Sequence, residues 1–87
     1  GKVIKAFTQN DHELKNLINK KGYIYTAGER LDNIASVAVP IFNNKENFTG
    51  TLSISGWRQF FTNKSVAKFY KILSGYQNQM KRLVSNE

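Results

Sequence analysis

The 87-residue chain contains no cysteine and a single histidine, His12. The absence of thiols excludes disulfides and thiolate metal sites, and it fits the reducing cytoplasm. The six acidic residues show no metal-ligand spacing, and no second histidine is present to join His12. We therefore expect neither a metal nor another cofactor.

Long hydrophobic runs are also lacking. No apolar stretch approaches the roughly 18 residues that a membrane-spanning helix requires, and the N-terminal residues do not follow a signal-peptide pattern. We expect a soluble, cytoplasmic protein of one small domain, without a membrane partner.

Signals of catalysis are missing as well. His12 lies in the first turn of a predicted helix between two acidic residues, which is typical of a solvated side chain. The acidic residues are not paired as general acid–base chemistry requires. Gly50 and Gly56 are isolated glycines of a predicted strand, so they do not form a glycine-rich phosphate loop. The sequence therefore argues against an enzyme.

Two segments show the spacing of amphipathic helices. In the first, Asn10 is a candidate N-cap with Glu13 three positions on, and Gly22 occupies the position of a C-terminal glycine. The second covers residues 62–84, where apolar residues recur every three or four positions. Its Gly75 suggests a close approach to the sheet or to a partner. Residues 1–7 resemble the end of a further helix.

Three segments read as strands. Residues 23–26 are β-branched and aromatic, and residues 34–42 and 48–56 flank a polar turn at residues 43–47. Pro40 cannot donate to a β-ladder, so it predicts an edge position or a bulge. Short connections favour an antiparallel meander, and the whole pattern predicts an α+β fold. The predicted core is Leu14, Leu17, Ile18, Val37, Val39, Ile41, Leu52, Ile54, Phe69 and Leu73.

The most informative pattern is a row of hydroxyl side chains. Thr51, Ser53 and Ser55 alternate with apolar residues and share one face of their strand, and Ser36 lies on the facing strand. Such a row leaves open volume and supplies hydrogen-bond donors and acceptors. The alternative is that these side chains only decorate a solvated sheet surface. A binding site needs Ser36 and Ser53 on the same face, which requires a shifted register or a bulge near Pro40.

Several segments resemble the C-terminal signature of IclR-type transcriptional regulators. They are Gly22-Tyr23, the acidic residue Glu29, the segment Ile-Ala-Ser-Val-Ala-Val-Pro-Ile-Phe at residues 34–42, and Leu-Ser-Ile-Ser-Gly at residues 52–56. Gly1-Lys2 with Ala6-Phe7 is similar to the family's upstream helix. These pieces occur in the family's order and cover nearly the whole chain.

The resemblance implies an effector-binding domain of GAF-like fold, with an antiparallel sheet flanked by helices. Residues 1–87 would be its C-terminal half, and the ligand would be a small organic acid or aromatic metabolite. The resemblance also implies a homodimer or tetramer that contacts DNA only through an N-terminal helix-turn-helix domain absent from this chain. The implied effector-binding residues are Thr26, Ile34, Ser36, Ser53 and Ser55.

The chain departs from the family pattern at several positions. Ser36 stands where some relatives carry a cysteine, Thr26 replaces an acid, and Trp57 occupies a position where proline is common. The segment between Phe7 and Asn10 is shorter than in relatives. The departures at Ser36 and Thr26 concern the identity of the ligand, and the Trp57 ring would cap a pocket or pack at an interface. The short segment indicates either a truncated loop or residues omitted after Phe7.

Two further functions remain open. A dimerisation module without a ligand predicts that the apolar face of residues 66–83 is buried between chains. A nucleic-acid-binding module is suggested by the net charge of +7 and predicts a basic stripe along Lys64, Lys68 and Lys71. The cations are otherwise spread along the sequence, which favours solvated faces.

Overall fold

The computed structural model describes residues 1–28 and 32–85. Along the chain it forms α1 (Lys2–Thr8), α2 (His12–Lys21), β1 (Ile24–Ala27), β2 (Ile34–Phe42), β3 (Phe48–Trp57), a short 3₁₀ turn (Arg58–Phe60) and α3 (Asn63–Ser85). The predicted α+β class is confirmed. Glu29, one of the residues on which the resemblance rests, lies outside the described residues.

The three strands form an antiparallel sheet in the order β1-β2-β3. The predicted polar turn joins β2 to β3, and one side chain organises it: Asn43 Oδ1 accepts hydrogen bonds from the backbone N–H groups of Lys45 and Asn47, at 2.9 and 3.0 Å. Asparagine suits this position because its short amide readily bonds to nearby backbone. The hairpin is thus encoded locally.

Pro40 occupies the central strand of the sheet, which corrects the alternative of an edge position. Its backbone nitrogen costs no ladder bond because β1 pairs with β2 only as far as Ala38. The register shifts between Ile41 and Phe42, where Thr49 is the extra residue of β3. The predicted bulge near Pro40 is therefore confirmed, and Phe42 still pairs with Phe48.

The ends of α2 show one correct and one wrong cap. The N-cap is Asp11, whose carboxylate accepts from the N–H of Leu14 at 3.1 Å, and not Asn10 as predicted. Asn10 instead adopts a left-handed conformation with φ of 55° in the turn before the cap, a conformation that asparagine tolerates. Gly22 ends the helix with φ of 88°, as predicted.

Helices cover both faces of the sheet. On one face, α1 and α2 pack against β1 and the turn end of β2 and β3; the residues involved are Val3, Ala6, Ile18 and Ile24, with Phe7, Leu14, Ala38 and Phe48 around them. On the other face, α3 packs through Val66 and Leu73 against Val37 and Val39. The molecule consequently has three layers, with a separate apolar cluster on each side of the sheet.

Most of the predicted core is buried or half-buried, but Leu17 is 42% exposed. The apolar stripe of α2 includes Leu17, but its side chain, one position from the buried Ile18, lies on a side of the helix that is not covered, so its prediction as a core residue is wrong. The predicted apolar face of α3 is only partly covered. Val66 and Leu73 meet the sheet and are buried, whereas Tyr76 and Leu83 are exposed. Gly75 does not approach the sheet, since a Cβ there would meet no atom within 4 Å.

Candidate functional site

The register of the sheet places the hydroxyl row on one face. Ser36 of β2 lies opposite Ser55 of β3 and opposite Thr26 of β1, and Ser53 lies opposite Ala38. Directly opposed residues of antiparallel strands point to the same side. Ser36 and Ser53 are therefore on the same face, which is the arrangement that a binding site requires.

Thr26 and Ser36 are already joined to each other. Their hydroxyl oxygens lie 2.8 Å apart in a partly buried hydrogen bond across β1 and β2. Ser53 and Ser55 are exposed. The candidate site thus contains one hydrogen-bonded hydroxyl pair and two exposed hydroxyls.

Apolar residues frame one end of the row. Ile34 and Trp57 are paired across β2 and β3, immediately beyond Ser36 and Ser55 on the same face. Ile34 is half-buried, whereas the Trp57 side chain is 54% exposed. A ring in this position offers a flat apolar wall beside the hydroxyls.

The row itself lies on an open sheet surface. Helices α1 and α2 cover the same face at its other end, around Ile24 and Ala38. A shallow cavity of about 570 Å³ lies at the Trp57 end of the row; the other described residues that line it are Asp32, Asn33, Arg58 and Gln59. The described residues therefore supply one wall of a site and not an enclosed pocket.

Arg58 was not among the site residues predicted from the sequence. Its backbone N–H donates to the Asn33 carbonyl at 2.7 Å, and its Nη1 donates to the Asp32 carbonyl at 3.3 Å. These bonds hold a guanidinium beside Trp57, at the end of the hydroxyl row. The spacing Ser55-x-Trp57-Arg58 was the available signal, but the turn after β3 that directs Arg58 depends on tertiary contacts.

The hydroxyl of Thr51 differs from the others in the row. Its Oγ1 is buried and has no hydrogen-bond partner among the described residues, whereas the neighbouring Thr49 Oγ1 donates to the Ile41 carbonyl at 3.0 Å. Burying a polar group without a partner costs about 1–3 kcal/mol. We expect Thr51→Val to raise the free energy of unfolding by about 1 kcal/mol.

Thr49→Val is the matched control for this prediction, because it removes a hydroxyl that is bonded. It should lower the free energy of unfolding by about 0.5–1.5 kcal/mol. Urea denaturation of both variants measures the difference. Destabilisation by Thr51→Val would show that its hydroxyl has a partner.

The described part of the chain brings no three His, Cys, Asp or Glu side chains close enough together to hold a metal ion. None of the helices in these residues has the length and apolar character needed to cross a membrane. Lys64, Lys68 and Lys71 are all exposed on α3, so the basic stripe of the nucleic-acid alternative is geometrically present. It lies on the opposite side of the sheet from the hydroxyl row.

Comparison with known families gives a match over most of the chain. The family described as bacterial transcriptional regulator IclR C-terminal matches residues 3–82. A search of curated proteins gives no significant match.

Solved structures show the same architecture. IclR of Thermotoga maritima is 29% identical with a TM-score of 0.76, and the match covers 84% of this chain and 29% of that one. An IclR transcriptional regulator from Alicyclobacillus acidocaldarius is 27% identical with a TM-score of 0.71, over 90% and 34% of the two chains. The C-terminal domain of the Escherichia coli regulator KdgR, at 18% identity, shares the fold with a TM-score of 0.74 over 86% and 48%. The chain thus spans less than half the length of these structures.

Proposed function

Because this chain belongs to the IclR family of bacterial transcriptional regulators, we propose that residues 1–87 form the C-terminal half of an effector-binding domain. C-terminal domains of this family generally bind effectors and take part in oligomerisation. The proposed ligand is a small organic acid or an aromatic metabolite. The proposed contacts are Thr26, Ile34, Ser36, Ser53 and Ser55.

The observation that carries this proposal is the convergence of four hydroxyls on one sheet face. The bulge at Thr49 brings Ser53 and Ser55 to the side of Ser36, and Ser36 bonds to Thr26. On a fully solvated sheet surface the Thr26–Ser36 hydrogen bond would be exposed to water, whereas here it is partly buried. Hydroxyls donate well to a carboxylate, because hydrogen bonds to a charged acceptor are stronger than neutral ones.

The neighbours of the row extend its chemistry. Trp57 provides a flat ring for the aromatic or aliphatic body of a ligand. The guanidinium of Arg58 places a positive charge at the end of the row. A guanidinium binds carboxylates with two parallel hydrogen bonds. An organic acid lying along Ser55 and Trp57 would therefore have its charge compensated.

The edge of β3 supports the proposal that the domain is larger. Arg58 N–H donates to the Asn33 carbonyl, which fixes the alternation of ladder bonds between β2 and β3. By that alternation, the N–H groups of Thr51, Ser53 and Ser55 point away from β2. Among the described residues no strand pairs with this edge. A ten-residue edge without charge or proline invites pairing with further strands.

The exposed side chains of α3 also support the proposal that the domain is larger. Tyr70, on one flank of the helix, contacts Tyr23 next to β1, with ring centroids 5.0 Å apart. Ile72, Tyr76 and Leu83 lie on the opposite flank, toward β3, and are 43%, 57% and 61% exposed. The sheet and the helical layer are therefore both open on the β3 side, as expected if the preceding half of the domain packs there.

The wider role follows from the family as part of the same proposal. The regulator would be a homodimer or tetramer that binds DNA through an N-terminal helix-turn-helix domain. Effector binding would shift an equilibrium between its conformations, which requires different affinities for the two states. The chain has no assigned catalytic step in this scheme.

A thermal-shift screen against small organic acids and aromatic metabolites tests the proposal. It is run on the 87-residue chain and on the whole product of its gene. A ligand at 100 times its dissociation constant adds about 2.7 kcal/mol to the stability of the folded state. Ser53→Ala should abolish the shift, whereas Ser74→Ala, which removes a hydroxyl from α3 on the other side of the sheet, should leave it unchanged. Equal shifts in both variants, or no ligand for either protein, would contradict the proposal.

A further inference from the structure

We propose that a second ligand site lies at the outer edge of β1, and that it binds a small carboxylate with an apolar or aromatic body. The site is a cavity of about 300 Å³ between α2, β1 and the start of α3. It shares no residue with the hydroxyl row, so it stands independently of the proposed effector site. Its lining residues are Leu17, Lys21, Tyr23, Ile24, Tyr25, Phe61, Asn63 and Val66.

The first observation is the exposure of large apolar side chains around the cavity. Leu17 is 42% exposed and Tyr25 is 39% exposed, and both line it. Leu17 lies on the apolar stripe of α2 that elsewhere is covered. Apolar side chains grouped at a concave surface are typical of ligand pockets, and 300 Å³ is at the small end of their size range. The body of the ligand is thus apolar and small.

The aromatic walls favour a flat ligand. Tyr25 and Phe61 contribute rings whose centroids are 6.3 Å apart, and Tyr23 lies against Tyr70 of α3. Aromatic rings prefer offset-stacked or edge-to-face contact with other rings. An aromatic ring or a compact branched chain fits such walls.

The charge of the cavity selects an anion. Among the described residues that line the cavity, Lys21 is the only one with a charged side chain and Asn63 the only one with an amide. In a partly enclosed apolar site, a cation without an acid nearby favours a negatively charged ligand.

The backbone of β1 supplies a further donor. Gly28 N–H donates to the Ile34 carbonyl at 3.0 Å, so the residues of β1 that bond to β2 alternate with those that do not. Ile24 and Thr26 are in the first class, and Tyr25 is in the second. The Tyr25 N–H therefore points outward from the sheet, at a residue that lines the cavity. A carboxylate accepts from this N–H and from Lys21 Nζ.

The length of β1 argues for a small molecule over an added strand. β1 has only four residues, Ile24–Ala27. A very short edge strand offers few ladder bonds to an incoming strand. The cavity, by contrast, offers apolar area, a cation and one outward N–H within a small volume. The free side of the sheet at β3 is the one suited to strand pairing.

Titration by NMR with benzoate and with its neutral analogue benzamide tests the site. Benzoate should shift the amide signals of Tyr25 and Leu17 and saturate, and benzamide should bind about tenfold more weakly because it lacks the charge. Lys21→Gln should weaken benzoate binding by about the same factor, and Lys21→Arg should retain it. Lys20→Gln is the matched control: it removes a cation from the same turn but does not line the cavity, and it should have little effect.

Ser53→Ala separates this site from the effector site. Retained benzoate binding in Ser53→Ala, together with its loss in Lys21→Gln, supports the second site whether or not the hydroxyl row binds a ligand. Loss in Ser53→Ala with no effect of Lys21→Gln would place the carboxylate on the hydroxyl row and overturn the second site. Equal binding of benzoate and benzamide, or no saturation at Tyr25, would also overturn it.

Discussion

Gly22→Ala is expected to lower the free energy of unfolding by about 2–4 kcal/mol. Two costs add at this position. Gly22 has φ of 88°, and an L-residue in the left-handed region loses about 1–2 kcal/mol. A Cβ would also overlap the ring of Tyr70, whose Cζ lies only 2.7 Å from the ideal position. Forcing an extra methyl group into a packed site costs typically about 1–3 kcal/mol.

Gly28→Ala separates the two costs. Gly28 also has positive φ, 71°, but the nearest atom to its Cβ would be Arg58 Nη1 at an ordinary 3.7 Å. This variant should therefore lose only about 1–2 kcal/mol. Urea denaturation measures both variants, and Gly22→Ala should be the more destabilised.

A double variant completes the test of Gly22. Combining Gly22→Ala with Tyr70→Ala removes the overlapping ring, so the two changes should cost less together than the sum of the single losses. Additive losses, or equal losses for Gly22→Ala and Gly28→Ala, would show that Tyr70 moves aside freely. The tight contact between the end of α2 and the side of α3 would then contribute nothing measurable to the free energy of unfolding.

The elements that the sequence predicts best are those with local causes. Gly22 is placed correctly because the end of a helix in the left-handed conformation strongly prefers glycine. The hairpin between β2 and β3 is predicted residue by residue at the turn, because Asn43 bonds to the backbone of its own loop. Alternation within residues 48–56 likewise predicts which side chains share a face. These signals depend only on neighbours in the sequence.

Whether Ser36 and Ser53 share a face depends on an irregularity in the pairing of β2 with β3. The sequence pattern leaves two alternatives for it, a shifted register or a bulge. A regular hairpin closed by Phe42 and Phe48 would separate Ser36 from Ser53. The extra residue at Thr49 reverses this, because one inserted residue changes the face of every following side chain. The binding-site hypothesis required either a shifted register or a bulge near Pro40, and the structure shows a bulge at Thr49.

Which residues of a helix are buried depends on tertiary packing, which the sequence pattern does not show. The stripe of α2 includes Leu17 with Ile18, but only Ile18 meets the sheet. On α3, Gln77 bonds to the Pro40 carbonyl, while Tyr76 beside it is exposed. Apolar spacing gives the face of a helix, but not the width of the surface that covers it. The cavity beside β1 arises because the apolar stripe of α2 is wider than the surface that covers it. No local sequence pattern indicates this difference.

The orientation of α3 gives the last prediction: Leu73→Ala should lower the free energy of unfolding of the 87-residue chain by about 3 kcal/mol. Leu73 is 4% exposed and packs in the cluster of Val37, Val39 and Val66. Truncation of a buried leucine removes its contacts and leaves a cavity, which costs about 2–5 kcal/mol.

Leu83→Ala is its matched control, because it makes the same chemical change on the same helix. Leu83 is 61% exposed, so its truncation should alter the stability of this chain by less than about 0.5 kcal/mol. Urea denaturation should show a lower midpoint for Leu73→Ala with little change in slope, since the surface exposed on unfolding is nearly the same. Similar losses for both leucines would mean that the chain covers Leu83 in solution, for instance with a second copy. A larger loss for Leu83→Ala in the whole gene product than in the 87-residue chain would instead indicate that the preceding half of the domain packs against this flank of α3.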